Sequence, residues 1–160
     1  MLMDTIRELC ALSGVSGFEE QVRSYIKEHA APYADEMRTD ALGNLIVFKR
    51  GKKATGSKLL LAAHMDEVGL MVQSVAEDGC LKFSCVGGID RRVLLGKRVS
   101  VGEKGIPGVI GLKPIHLTTA EERKSIPEVK SLRIDIGAKD KDEAEKLVSP
   151  GDVVTFVSDI

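Results

Sequence analysis

The feature that most constrains the fold is a continuous aliphatic run that ends abruptly in polar residues. Residues 58–63 read KLLLAA and lack the polar alternation of a half-exposed strand. Such runs are typical of central strands covered on both faces, as in an α/β sheet. The run is followed directly by His64, Met65, Asp66 and Glu67. Because ligand-binding and catalytic groups favour strand ends in α/β sheets, this cluster is the first candidate site.

The residues before this run predict two helices and a β-hairpin. Apolar residues recur at helical spacing before residue 13 and again over residues 18–30. Ser16 and Glu19 have the spacing of a capping box, in which the Ser16 hydroxyl accepts a hydrogen bond from the Glu19 amide. After residue 32 the apolar period changes to two, which predicts a hairpin over residues 36–49.

From residue 69 onward the pattern is that of strands joined by tight turns. Asp78-Gly79 is a strong turn signal between two alternating segments, which predicts a hairpin there. Further strands are predicted over residues 98–101, 106–112, 132–136 and 153–157, with a short helix over 140–148. The chain is therefore predicted to contain a helix-plus-sheet part followed by a compact β-rich module.

Composition excludes several classes of protein. The chain has 23 basic and 24 acidic side chains and a net charge of −1, which argues against a polybasic nucleic-acid binder. Its longest aliphatic runs are far shorter than the roughly 20 apolar residues that cross a bilayer. The first residues lack the apolar core of a signal peptide. Three cysteines are an odd number and indicate reduced thiols, so a cytoplasmic location is expected.

His64 and Asp66 could together support metal chemistry. Residues two apart in a strand point the same way. One imidazole nitrogen of His64 could then bind a metal ion while the Asp66 carboxylate accepts a hydrogen bond from the other. The spacing alone is weak, and on spacing alone a hydrogen-bonded, half-exposed histidine at a strand end is the better explanation.

The other potential ligands do not complete a metal site on sequence grounds. A metal ion usually takes three or four protein ligands. His29 is expected to lie in solvent on the second helix, and His116 is a loop residue of unknown role. Asp40 and Asp90 are candidates without any spacing that supports them.

Seven short motifs, found in order along the whole chain, resemble the amino-terminal part of the tetrahedral aminopeptidases. This family includes glutamyl aminopeptidases and the so-called cellulase M proteins. The matching segments are residues 13–19 (SGVSGFE), 40–44 (DALGN), 63–69 (AHMDEVG), 86–90 (VGGID), 108–111 (GVIG), 114–117 (PIHL) and 134–138 (IDIGA).

The resemblance implies a fold, an activity and a site. It implies an α/β metallopeptidase catalytic domain of the phosphorylase/hydrolase-like type, represented by residues 1–68, and an inserted PDZ-like β-barrel dimerisation domain over residues 69–160. It implies hydrolysis of amino-terminal residues from peptides with two divalent ions, zinc or cobalt. By position, His64 resembles the first metal ligand and Asp66 resembles the catalytic carboxylate that orients it. Dimers are expected to assemble into a tetrahedral dodecamer, without nucleic-acid or membrane partners.

The resemblance also limits what the polypeptide is expected to do alone. The family's other metal ligands and its general base correspond to positions after residue 160, so this polypeptide alone is expected not to hydrolyse peptides. An uncovered strand over residues 58–63 is expected either to associate through its edge or to leave the first half of the chain disordered. Two alternatives stay open: a non-catalytic assembly module, and a glucanase, because some relatives carry that label. Glycoside hydrolysis needs a flanking pair of carboxylates that no motif here specifies.

Overall fold

The first part of the chain forms two helices and a hairpin. A computed structural model describes residues 2–52, 56–113, 118–120 and 124–157. Helix α1 (Leu2–Ala11) and helix α2 (Glu20–Ala30) precede strands β1 (Glu36–Thr39) and β2 (Leu45–Phe48). The two strands pair antiparallel and form a sheet of their own. The predicted helices and hairpin are confirmed.

The second part is a closed six-stranded antiparallel barrel. Its strands are β3 (Gly69–Val75), β4 (Leu81–Val86), β5 (Arg98–Val101), β6 (Ile106–Gly111), β7 (Arg133–Asp135) and β8 (Val153–Phe156). The spatial order is β3-β4-β7-β6-β5-β8, and a short helix, α3 (Lys141–Glu145), connects β7 to β8. Closure leaves no open edge, so every strand finds two partners within the chain. The predicted β-rich module is confirmed.

The barrel encloses the main hydrophobic core. The alternating strands direct one face inward, and Leu70, Leu81, Ile110, Ile134 and Val154 are each 0% exposed. Leu81 on β4 pairs directly with Ile134 on β7, so residues distant in sequence close the core. Burying a side chain of this size contributes roughly 1.5–3 kcal/mol. The barrel therefore contains a hydrophobic core that stabilises its fold.

A close contact at Val15 joins the first part to the barrel. Val15 is 0% exposed and forms a parallel bridge with Glu67, just before β3 begins. A Cβ atom on Gly69 would lie 2.5 Å from Val15 Cγ2 and 2.9 Å from the Val154 carbonyl oxygen. Only a glycine fits between these groups. The loop after α1 consequently packs against the start of the barrel.

The predicted capping box at Ser16 and Glu19 is wrong. Helix α2 begins at Glu20, its N-cap is Glu19, and no side chain caps it. The Glu19 carboxylate instead accepts a 2.6 Å hydrogen bond from the Gly17 amide. The Ser16 hydroxyl donates to Asp66, a residue fifty positions away. A long-range partner therefore replaces the local one that the spacing suggested.

The predicted central strand over residues 58–63 is also wrong. This segment has no regular strand structure, and Leu59, Leu60 and Leu61 are 87%, 87% and 85% exposed. A strand requires a hydrogen-bonded neighbour, and no described residue pairs with this segment. The aliphatic pattern correctly identifies residues suited to burial, but the described part of the chain supplies nothing to cover them.

Two further expectations concern membranes and His116. Within the described ranges, no helix is long and apolar enough to cross a bilayer. His116 lies outside the described residues.

Candidate functional site

The polar cluster after the aliphatic run is held by the loop between α1 and α2. The Glu67 amide donates a 2.7 Å hydrogen bond to the Gly14 carbonyl oxygen. A Cβ atom on Gly14 would lie 2.9 Å from Val22 Cγ2 and 3.3 Å from the Met65 carbonyl oxygen. The absence of a side chain at residue 14 therefore lets the two segments run side by side. This contact places residues 64–67 against the loop, although no described residue pairs with the run before them.

His64 and Asp66 lie together, as their spacing predicted. His64 Nδ1 is 2.8 Å from the Asp66 carbonyl oxygen and 3.1 Å from Asp66 Oδ1. Both neighbours are acceptors, so the proton of a neutral imidazole belongs on Nδ1. The His64 side chain is 85% exposed, and Nε2 has no partner among the described residues. The arrangement presents an unprotonated Nε2 to solvent.

Ser16 fixes the orientation of the Asp66 carboxylate. Ser16 Oγ donates a hydrogen bond of 2.5 Å to Asp66 Oδ2, opposite the oxygen that faces His64. This hydrogen bond is the main cause that lowers the pKa of Asp66, and the nearby imidazole of His64 lowers it further. Asp66 is consequently ionised at neutral pH. The three side chains form a chain from hydroxyl to carboxylate to imidazole.

Ser16 is the site residue that sequence reasoning missed. The SGVSGFE motif predicts a helix cap at Ser16, because the residues that follow have a helical pattern. The distance of fifty residues between Ser16 and Asp66 leaves no local spacing signal. The parallel bridge between Val15 and Glu67 brings the two residues together, and that bridge follows from tertiary structure.

The other candidate ligands are engaged elsewhere. Asp40 accepts hydrogen bonds from the amides of Leu42 and Asn44 and so shapes the turn between β1 and β2. Asp90 caps a short 3₁₀ helix and pairs with Arg92. His29 is exposed on α2, as predicted. None of the three lies in a ligand cluster with His64.

The described residues do not by themselves fit a complete metal site. Within them, no group of three or more His, Cys, Asp or Glu side chains could hold a metal ion. His64 offers one nitrogen ligand, whereas a bound ion usually takes three or four protein ligands. The geometry is that of one exposed imidazole paired with one carboxylate.

Solved structures resemble this chain closely over almost its whole length. A Pyrococcus horikoshii TET1 peptidase, described as assembling into a tetrahedron or a large octahedral shell, is 40% identical with a TM-score of 0.84. The match covers 98% of this chain and 46% of that one. A Thermotoga maritima structure described as an endoglucanase is 46% identical with a TM-score of 0.81, over 95% of this chain and 44% of its own. The mixed α/β fold with its barrel is thus shared with tetrahedral aminopeptidases.

Sequence comparisons lead to the same family. A glutamyl aminopeptidase of Lactococcus lactis is 32% identical over 159 residues, which are 96% of this chain and 44% of the relative. The chain spans less than half the length of the curated relatives that it matches. The family model for M42 glutamyl aminopeptidases matches residues 43–160, well over half of the chain. The chain therefore belongs to the M42 glutamyl aminopeptidase family.

Proposed function

We propose that this chain contributes part of the active centre of a metal-dependent aminopeptidase. In this proposal His64 is a metal ligand and Asp66 is the carboxylate that orients it. The observation that carries the proposal is the contact of His64 Nδ1 with two oxygen atoms of Asp66, at 2.8 and 3.1 Å. Family membership supports the peptidase activity.

The proposed roles follow from the hydrogen bonds. Asp66 accepts from Nδ1 and so fixes the imidazole in the tautomer whose Nε2 carries a lone pair, as a ligand must. Ser16 is a positioning residue, because its hydroxyl holds the carboxylate from the far side.

The metal would be zinc or cobalt, with two ions in the complete centre. Imidazole and carboxylate ligands suit several divalent metals, so the residues do not select between these two. His64 would supply one ligand, and the others would come from residues other than those described. For this reason we propose that residues 1–160 do not hydrolyse peptides as an isolated polypeptide.

We also propose that the two parts of the chain belong to domains with different roles. Residues 1–68 would belong to the catalytic domain, and residues 69–160 would form the PDZ-like dimerisation domain. The closed barrel supports the second assignment, because it has a core of its own. The shells described for a similar peptidase support a homo-oligomer that builds towards a dodecamer.

A chimera with a relative would test the function. Residues 1–160 would replace the aligned portion of the Lactococcus lactis glutamyl aminopeptidase, and release of glutamate from a glutamyl anilide would be measured with and without zinc or cobalt. We expect metal-dependent activity that is lost in His64→Ala. Asp66→Ala should lower it by about 10- to 100-fold, as is typical for partners of metal ligands.

A matched histidine controls for general effects. His29→Ala changes the exposed histidine on α2 and should leave the activity unchanged. If the full replacement does not fold, a smaller graft of residues 56–69 still carries His64 and Asp66, without Ser16. A folded chimera without peptidase activity, or one that is unaffected by His64→Ala, would contradict the proposal.

Two alternatives have an observation in their favour. The barrel and the shell-forming relative favour a non-catalytic assembly module, which predicts a folded oligomer and a chimera without activity. The Thermotoga maritima structure described as an endoglucanase favours a glucanase. Release of reducing sugar from carboxymethyl cellulose by the chimera would support the second alternative, and we expect none.

A further inference from the structure

A cluster of basic side chains lies on the barrel in two adjoining clefts. One cleft, of about 230 Å³, and a second, of about 300 Å³, both include Leu132 in their walls. Three cationic residues line each cleft: Lys82, Lys130 and Arg133 in the first, and Arg91, Arg92 and Lys124 in the second. We call these six residues and the walls between them the basic groove.

Within the part of the chain that the structure describes, acidic side chains offset the charge of the basic groove only in part. Among the described residues, no carboxylate lines either cleft. Two carboxylates lie beside the groove: Asp90 pairs with Arg92, Glu128 lies 2.7 Å from Lys130, and both also interact electrostatically with Arg91. Among the described residues, the six cations outnumber these two carboxylates, although the chain as a whole carries a net charge of −1. The groove is thus a local excess of positive charge.

One cation in the groove is already held in place. Arg133 donates from Nη1 to the carbonyl oxygens of Lys130 and Leu132, at 2.7 Å each. Its other N–H groups have no partner among the described residues. A guanidinium fixed in this way loses little side-chain freedom when it binds a carboxylate. It therefore presents a pre-ordered donor at the floor of the first cleft.

Apolar side chains lie between the charges. Leu95 and Ile126 line the second cleft and are 50% and 44% exposed. In the first cleft Phe83 is only 3% exposed, so it offers no ring face on which a base could stack. Cations and aliphatic side chains together line the groove. They would suit a ligand that carries both carboxylates and aliphatic side chains. A polypeptide has that chemistry, and a nucleic acid does not.

We propose that the basic groove binds an acidic peptide segment, with carboxylates on Lys82, Arg91 and Arg133 and aliphatic side chains against Leu95 and Ile126. The groove lies on the barrel, whereas the peptidase site proposed above lies at His64. The inference does not depend on hydrolysis, because a peptide can bind here without a free amino terminus.

The test uses a fluorescein-labelled, amino-terminally acetylated peptide of alternating glutamate and leucine. The acetyl cap removes the amino group that an aminopeptidase requires, so binding and hydrolysis are separated. Fluorescence anisotropy with the full chain should show binding that weakens as salt increases. The analogue with glutamine in place of glutamate should bind at least about fivefold more weakly, since two or more exposed ion pairs are lost.

Variants locate the binding surface. The double variant Lys82→Gln with Arg91→Gln should weaken binding about fivefold, as expected for two exposed ion pairs. Lys27→Gln with Lys58→Gln, which removes two exposed cations before the barrel, is the matched control and should have no effect. Equal weakening by both variants would overturn the proposal, since it would indicate general charge attraction.

Other outcomes would overturn it as well. Both groove positions are exposed, so thermal unfolding by circular dichroism should show intact variants. Equal affinity for the glutamate and glutamine peptides would overturn the role of the carboxylates. Binding of phosphatidylserine vesicles without binding of the peptide would assign the groove to a membrane surface instead.

Discussion

The barrel and the aliphatic run before it contain similar residues in opposite environments. Leu70 and Leu81 in the barrel are 0% exposed, whereas Leu60 is 87% exposed. The barrel is built from hairpins whose partners lie close in sequence, together with β7 and β8, which close it. Strands with nearby partners find them at low entropic cost. The run over residues 58–63 has no such neighbour, so hydrophobicity alone does not make it a strand.

The large hydrophobic core and the candidate site lie in different parts of the chain. The barrel contains the large core cluster, while the buried hydrophobic residues of the described chain before β3 are Val15 and Val22. His64 and Asp66 lie in the less covered part, next to the junction at Gly69. The site is thus attached to a stable barrel through a small contact.

The largest expected effect is a difference in the free energy of unfolding between a leucine substitution in the barrel and one in the aliphatic run. Leu81→Ala opens a cavity in the barrel core and should lower the free energy of unfolding by about 3 kcal/mol. Leu60→Ala removes an exposed side chain and should change it by less than about 0.5 kcal/mol. Urea denaturation followed by circular dichroism gives both values. Equal losses would mean that residue 60 is buried.

A substitution at Gly69 should disrupt the contact between Val15 and the barrel. Gly69→Ala places a methyl group against Val15 and the Val154 carbonyl oxygen, at 2.5 and 2.9 Å, and should cost about 2 kcal/mol of unfolding free energy. Gly88→Ala is the control, because its Cβ would meet no atom within 4 Å. If both variants unfold at the same urea concentration, the contact between Val15 and the barrel is absent in solution.

The exposed leucines should drive association of the chain. Changing Leu59, Leu60 and Leu61 together to serine removes the apolar surface of the run and should lower the average mass measured by light scattering. Leu42→Ser, at an isolated residue that is 90% exposed, should leave the mass unchanged. An unchanged mass in the triple variant would place the association surface elsewhere.

The smallest effect concerns an ion pair of the barrel part. The hydrogen bonds and charge of Arg92 hold the pKa of Asp90 at about 2. The stability that this pair contributes is present above the ordinary value of 3.8 and is lost as the pH falls towards 2. Arg92→Gln should raise the pKa of Asp90, measured by NMR of its carboxyl carbon. Lys124→Gln should not change it, and an unchanged value in Arg92→Gln would contradict the pairing.

The elements that the sequence predicts well are those with local causes. The turn at Asp78-Gly79 and the alternation along Leu81, Phe83 and Cys85 define a hairpin without help from distant residues. The same holds for the two helices and the hairpin of β1 and β2. Closure of the barrel joins Leu81 to Ile134, and no local pattern specifies that pairing.

The sequence predicts the pairing of His64 with Asp66, but it does not predict the hydrogen bond from Ser16 that holds Asp66. The two-residue spacing of His64 and Asp66 is local, and the structure brings them together. The hydrogen bond from Ser16 depends on how two distant loops pack, so the spacing to Glu19 gave a misleading helix cap. The aliphatic run was correctly recognised as apolar, but whether it is covered depends on partners that its own sequence does not contain.

The tautomer of His64 tests the central claim most directly. If Asp66 holds the imidazole as described, long-range ¹⁵N–¹H NMR of the chain at a pH where the ring is neutral will show the proton on Nδ1 and a lone pair on Nε2. That form leaves Nε2 free to bind a metal. A proton found mainly on Nε2, as in an unconstrained histidine, would contradict the account of the site.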